Sequence, residues 1–170
     1  MEPMIPSHQL LAQRIRDELE ELERAVRRVE RVWQAAQRVQ ADQDVYVDSA
    51  ALNLHGFYAG LERLFESVAH RLDDGPPKGQ AWHQELLRQM ATEVSGTRPE
   101  VISRESAIGL DEFRSFRHVV RNVYADHLDP ERIGRLVGKL PALWERLKAE
   151  LLEFAQFLEG VSWADDEVEK

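Results

Sequence analysis

The chain has 170 residues, no cysteine and a net charge of −9. This length suffices for one domain with a substantial core, and the lack of cysteine excludes disulfides and thiolate metal sites. The negative charge argues against broad, non-specific binding of nucleic acid but leaves room for a local basic site. The sequence has neither the pattern of a secretory signal nor an apolar stretch long enough for a membrane span. We therefore expect a soluble, cytoplasmic protein with no membrane contact.

Two long amphipathic helices are predicted first, over about residues 7–40 and 45–72. Apolar residues recur every three or four positions in both, so each helix should present a narrow apolar seam. The predicted seams are Leu11, Ile15, Leu19, Leu22, Val26, Val29, Trp33 and Ala36, followed by Val47, Ala51, Leu54, Tyr58, Leu61, Phe65, Val68 and Leu72. Gly56 and Gly60 lie four residues apart in the second helix and would let another helix approach closely.

Shorter helices are predicted in the second half of the chain. The Gly-Pro-rich residues 73–77 end the second helix, and a third helix follows over about residues 80–93. Residues 95–103 are predicted to form the longest loop, and loops of this length are often functional. A fourth helix is expected over about residues 110–126.

Two more helices are expected after the fourth. Asp129 and Pro130 form a typical N-cap and first helical position, so a short fifth helix should begin there. Gly138 should end it, and Pro141 should open a sixth helix that runs to Gly160.

The predicted fold class is an all-α, antiparallel helical bundle of about five to six helices, because no segment shows a strand pattern. We predict a single domain over residues 1–164, followed by a disordered acidic tail over residues 165–170.

The fourth helix combines an apolar face with a basic one. Phe113, Phe116, Val120 and Val123 should face the core. The opposite arc holds Arg114, Arg117, His118, Arg121, Asn122 and Tyr124. Three guanidinium groups on one face repel each other, which favours an anion such as phosphate as their partner. The alternative is a solvated face whose arginines pair with acids of neighbouring helices.

The histidines give no metal signal, because no two of the six have the spacing of metal ligands. We therefore predict neither a metal nor another cofactor. Arg121 and His127 have a spacing that some nucleases use, but His127 would fall on the apolar arc, which favours a structural or helix-ending role. Tyr124 lies at the border of the two arcs, where it is either a core residue with an exposed hydroxyl or a group offered to a site.

The segment Arg-His-Val-Val-Arg-Asn-Val-Tyr, residues 117–124, resembles the Arg-x4-His-x-Tyr signature of HepT-type toxins in the HEPN ribonuclease superfamily, with Asn122 in the histidine position. Residues 48–58, 98–99 and 128–132 resemble a HepT-like subfamily too, so the resemblance covers most of the chain. It implies a metal-independent RNA endonuclease that acts as the toxin of a toxin–antitoxin pair. It also implies a two-fold homodimer whose motif helices line one cleft, and an MNT-type nucleotidyltransferase antitoxin that transfers AMP to the motif tyrosine, here Tyr124.

Metal-free RNA cleavage needs an acid, a base and positive charge at the phosphate. Arg117 and Arg121 can supply the charge, and Arg114 would bind substrate further out. Asn122 has no group that accepts a proton near neutral pH, so His118 is the available replacement. The catalytic candidates are thus Arg117, His118, Arg121 and Asn122. Two alternatives remain: a catalytically impaired homologue that binds RNA or a nucleotidyltransferase partner, and a purely structural helical interaction module.

Overall fold

The computed structural model describes residues 6–121 and 128–168, and their side chains except for those of residues 118–121 and 162–168. Five helices form this part of the chain: α1 (Ser7–Arg38), α2 (Gln43–Leu72), α3 (Trp82–Met90), α4 (Arg104–Arg121) and α5 (Pro130–Val168). Its only β-type pairing in the described ranges is an isolated bridge between Val94 and Arg98. The predicted all-α class is therefore confirmed.

The two long N-terminal helices form the framework of the bundle. Residues 39–42 connect them, and Asp42 makes the reversal with a left-handed φ of 58°. α1 packs mainly against α2 and α5. The apolar seams predicted for both helices are buried, apart from Trp33 and Leu72, which are half-buried against the core. Burial of these seams stabilises the packing of the two helices, because the removal of apolar area from water is the main favourable contribution to the free energy of folding.

One of the two predicted small-residue positions serves a close helix contact. A Cβ atom placed on Gly60 would lie 3.1 Å from Cδ2 of Leu22, so Gly60 lets α1 approach α2. Gly56 is exposed, and a Cβ there would meet no described atom within 4 Å. The packing interpretation of the pair therefore holds for Gly60 alone.

The fourth helix begins at Arg104, six residues before the predicted start at Leu110. Ser103 caps it, because its hydroxyl accepts a hydrogen bond from the backbone N–H of Ser106 at 3.1 Å. Glu150 on α5 then accepts hydrogen bonds from the Ser103 backbone N–H and from the Ser106 hydroxyl. The prediction placed the start too late because the apolar period becomes clear only further along the helix.

The predicted break between a fifth and a sixth helix is wrong, since α5 runs without interruption through Pro141. A proline inside a helix removes one backbone hydrogen bond and costs about 3 kcal/mol. Leu140, Leu143 and Trp144 on either side of it are buried, and each such side chain stabilises by about 1.5–3 kcal/mol. Burial therefore outweighs the proline. α5 also continues to Val168, so helix covers part of the predicted disordered tail.

The core is one connected cluster to which all five helices contribute. The Phe57 ring contacts Trp144 edge-on, with 5.8 Å between centroids, and Phe113 in the same way at 6.3 Å. The Trp144 indole N–H donates to the Glu23 carboxylate, and this hydrogen bond lowers the pKa of Glu23. Within the described ranges, no helix combines the length and the apolar character that crossing a membrane would need.

Two glycines of α5 provide a test of the α1 contact. A Cβ on Gly134 would lie 2.9 Å from Cζ2 of the half-buried Trp33, so the G134A variant must displace that ring. The matched variant, G138A, meets no described atom and should gain helix propensity. We expect G134A to be less stable than G138A by about 1–3 kcal/mol, the usual cost of overpacking, in urea unfolding followed by circular dichroism. Equal stabilities would mean that α5 and Trp33 do not pack as described.

Candidate functional site

Arg117 is the first residue of the segment 117–124 that resembles the HepT signature, and its side chain extends from α4 toward α2. Its Nη1 donates a short hydrogen bond to Oε1 of Glu62, and the two side chains are 17% and 5% exposed. Glu62 is one of few charged residues buried in the described part of the chain. A buried carboxylate requires a compensating partner, and Arg117 provides the positive charge.

A third helix contributes to the same cluster through His83, the second residue of α3. Its Nδ1 lies 2.6 Å from Oε2 of Glu62 and 3.1 Å from Nη1 of Arg117. Its ring also stacks on Trp82, with 3.6 Å between the ring centroids. Nitrogen and carboxylate oxygen at such a distance need a proton between them, so we assign the N–H to Nδ1 as the donor to Glu62. The side chains of Glu62, His83 and Arg117, which we call the buried triad, thus join α2, α3 and α4.

The residues around the triad also shift the pKa of Tyr58, which lies one turn before Glu62 on α2. Burial raises the pKa of this phenol, the negative charge of Glu62 raises it further, and Arg114 and Arg117 oppose the shift. Because the net direction is upward, Tyr58 stays a neutral phenol at physiological pH. The buried hydroxyl therefore adds no negative charge beside Glu62.

The two described arginines of the basic face are both paired with acids. Arg114 donates from Nε to Asp111 on its own helix at 2.7 Å and is 19% exposed. Arg117 binds Glu62, but its Nε is buried and has no hydrogen-bond partner among the described residues. This pairing agrees in part with the alternative of a salt-bridged helix face. The unpaired Nε does not fit that alternative, because a buried donor without a partner costs about 1–3 kcal/mol and a purely structural arginine would have its donors satisfied.

The remaining site predictions concern groups outside the described part of the chain. They are the side chains of His118 and Arg121 and the whole of residues Asn122, Tyr124 and His127. The roles assigned to these residues therefore stay predictions.

Sequence analysis missed Glu62 and His83, although both carried a signal. Glu62 lies four residues after Tyr58 and three before Phe65, which places a charge on the apolar seam of α2. His83 lies three residues before Leu86, on the face by which α3 packs into the core. A charged or imidazole group on an apolar seam predicts a buried partner, although it does not identify that partner.

A second buried arginine, Arg98, has a structural role. It forms a two-pronged ion pair with Asp73, with distances of 2.7 and 2.8 Å. Its other N–H groups donate to the backbone carbonyls of Gln89, Thr92 and Pro99. All five donors of this guanidinium are thus engaged, so Arg98 holds the loop between α3 and α4 and has none left for a ligand.

In the described residues, no group of three or more His, Asp or Glu side chains is placed to hold a metal ion.

The candidate site lies in a part of the chain that matches a known protein family. A family model described as HepT-like protein matches residues 49–158, well over half of the chain. The chain belongs to the HepT-like family. No curated protein and no solved structure matches it. The matching region of this HepT-like protein contains α3, α4 and most of α2 and α5, and hence the whole buried triad.

Proposed function

We propose that this HepT-like protein is a metal-independent endoribonuclease, the toxin of a toxin–antitoxin pair, which binds an RNA phosphate in a cleft between two copies of the chain. Family membership supports this function, and so does one observation at the site. Arg117 opens the segment that resembles the HepT signature, and its Nε is a buried donor without a described partner. An anion that reached this N–H would supply the acceptor that it lacks.

The buried triad orients Arg117 for such a contact. Glu62 holds Nη1 of the guanidinium, so the plane of the group is set before any ligand arrives. A donor that is already oriented loses little conformational entropy on binding, and a guanidinium can offer two parallel hydrogen bonds to phosphate oxygens. Arg121 lies one turn further along α4 and would add a second positive charge to the same phosphate.

A covalent modification would regulate the proposed activity. An MNT-type nucleotidyltransferase would transfer AMP to Tyr124, three residues after Arg121. The added phosphodiester would neutralise arginine charge and the adenosine would fill the cleft, so the modified toxin would be inactive.

The proposed activity is tested with purified protein and a labelled single-stranded RNA of mixed sequence in the presence of EDTA. We expect cleavage by the parent, and a loss of about 10- to 100-fold in the R121A variant, because one charge-assisted phosphate contact contributes about 1.5–3 kcal/mol. The matched control is R88A, which removes an exposed arginine of α3 and should cleave like the parent.

Two results would contradict this function. If the parent binds the RNA but never cleaves it, the protein is a catalytically impaired homologue, as Asn122 in the histidine position of the motif would permit. If R121A and the parent neither bind nor cleave RNA, the basic face is the salt-bridged surface of a structural module, which the pairing of Arg114 and Arg117 with acids favours.

A further inference from the structure

We propose that His83 on α3 is the general base of RNA cleavage, in place of the histidine that Asn122 lacks, and that Glu62 is its positioning residue. The inference rests on the proposed ribonuclease function. It follows from the position of His83 beside Arg117, with 3.1 Å between Nδ1 and Nη1. A phosphate bound by the other N–H groups of Arg117 would share this guanidinium with the imidazole.

Glu62 orients the imidazole in the way a general base requires. The carboxylate accepts the N–H of Nδ1 at 2.6 Å, so in the neutral ring the lone pair is on Nε2. This is the arrangement in which a buried carboxylate holds a catalytic histidine in the correct tautomer. Trp82 stacks on the ring and limits its rotation. Glu62 itself is 5% exposed, whereas His83 is 17% exposed, so of the two groups the imidazole is the more accessible to a substrate.

The chemistry balances without a metal ion or another co-reactant. Nε2 of His83 accepts the proton of the ribose 2′-hydroxyl while the 2′-oxygen forms a bond to phosphorus. The bond from phosphorus to the 5′-oxygen breaks, and that oxygen takes a proton from water. The imidazolium then neutralises the resulting hydroxide, and the products are a 2′,3′-cyclic phosphate and a 5′-hydroxyl. Arg117 would stabilise the charge that develops on the phosphate oxygens.

The test compares the H83A and H118A variants of the full chain in the RNA cleavage assay with EDTA. We expect H83A to lose about 10²- to 10⁴-fold in kcat, the usual contribution of a general base, with little change in KM. Free imidazole added to H83A should restore part of the activity, because it can occupy the space of the missing ring. The control variant H70A removes an exposed histidine of α2 and should cleave like the parent.

Two further variants separate base catalysis from support of the fold. If H83A does not fold, as judged by circular dichroism, H83Q replaces it, because glutamine can still donate to Glu62 but cannot accept a proton. E62Q should lower kcat and should not respond to imidazole, since the ring is still present.

Three outcomes would overturn the inference. Parent-like activity of H83A removes His83 from catalysis. Inactive but folded H83A that imidazole does not rescue assigns His83 to the positioning of Arg117. Loss of kcat in H118A, with imidazole rescue in that variant alone, makes His118 the base. A parent that cleaves no RNA instead refutes the proposed function, and the inference falls with it.

Discussion

Replacing Arg98 with alanine is expected to lower the free energy of unfolding by about 3–5 kcal/mol, the range for breaking a buried ion pair from one side. The substitution leaves the Asp73 carboxylate without its charged partner and removes the hydrogen bonds that Arg98 donates to three backbone carbonyls. The loop between α3 and α4 should lose its anchor as a result. Urea unfolding at neutral pH, followed by circular dichroism, measures the loss.

The control for this variant is R88A, which removes an exposed arginine of the neighbouring helix α3 and should change stability by no more than about 0.5 kcal/mol. If R98A is as stable as R88A, the described network does not anchor the loop.

The pH dependence of the R98A variant provides an independent check. Burial raises the pKa of Asp73, but hydrogen bonds from Arg98 and Gln89 outweigh burial and hold the pKa below its ordinary value. The pair therefore stabilises the parent fully above the unfolded pKa of about 4, and this contribution is lost as pH falls through the lower folded pKa. In R98A the opposing hydrogen bonds from Arg98 are gone. The stability difference between parent and variant should thus shrink at acidic pH.

Replacing Arg117 with alanine should have the second-largest effect, a loss of about 3 kcal/mol in the free energy of unfolding. This is the lower end of the range for a broken buried pair, because His83 continues to donate to Glu62. Combining it with E62Q removes the buried negative charge as well. The double variant E62Q/R117A should therefore recover part of the loss, with a coupling energy of about 0.5–3 kcal/mol.

The R117A substitution is expected to change the stability of the fold as well as any contact with RNA. Under the proposed function, slower RNA cleavage by R117A would combine the loss of a phosphate contact with the loss of folded protein. The urea midpoint of each variant, measured at the assay temperature, separates these effects. Additive losses of stability in E62Q and R117A would contradict the ion pair.

The spacing of apolar residues predicted that α1 and α2 are helices and which of their residues are buried. A long amphipathic helix must bury its apolar face, regardless of which helix packs against it. The boundaries that failed depended on tertiary contacts. Pro141 carries a strong local signal for a helix start, and only the buried residues around it keep α5 continuous. The early start of α4 combines a local cap from Ser103 with hydrogen bonds to Glu150, which lies 47 residues from Ser103.

The candidate site divides in the same way. The sequence by itself indicated the arginine-rich segment around Arg117 and the family resemblance, because both are local patterns on one helix. Only the tertiary structure joined that segment to Glu62 and His83, which lie 55 and 34 residues away in the chain. The periodicity of one helix specifies which residues are buried, but partner choice depends on how three helices pack. A charged residue on an apolar seam therefore predicts that a buried partner exists, but only the packing of the helices determines which residue that partner is.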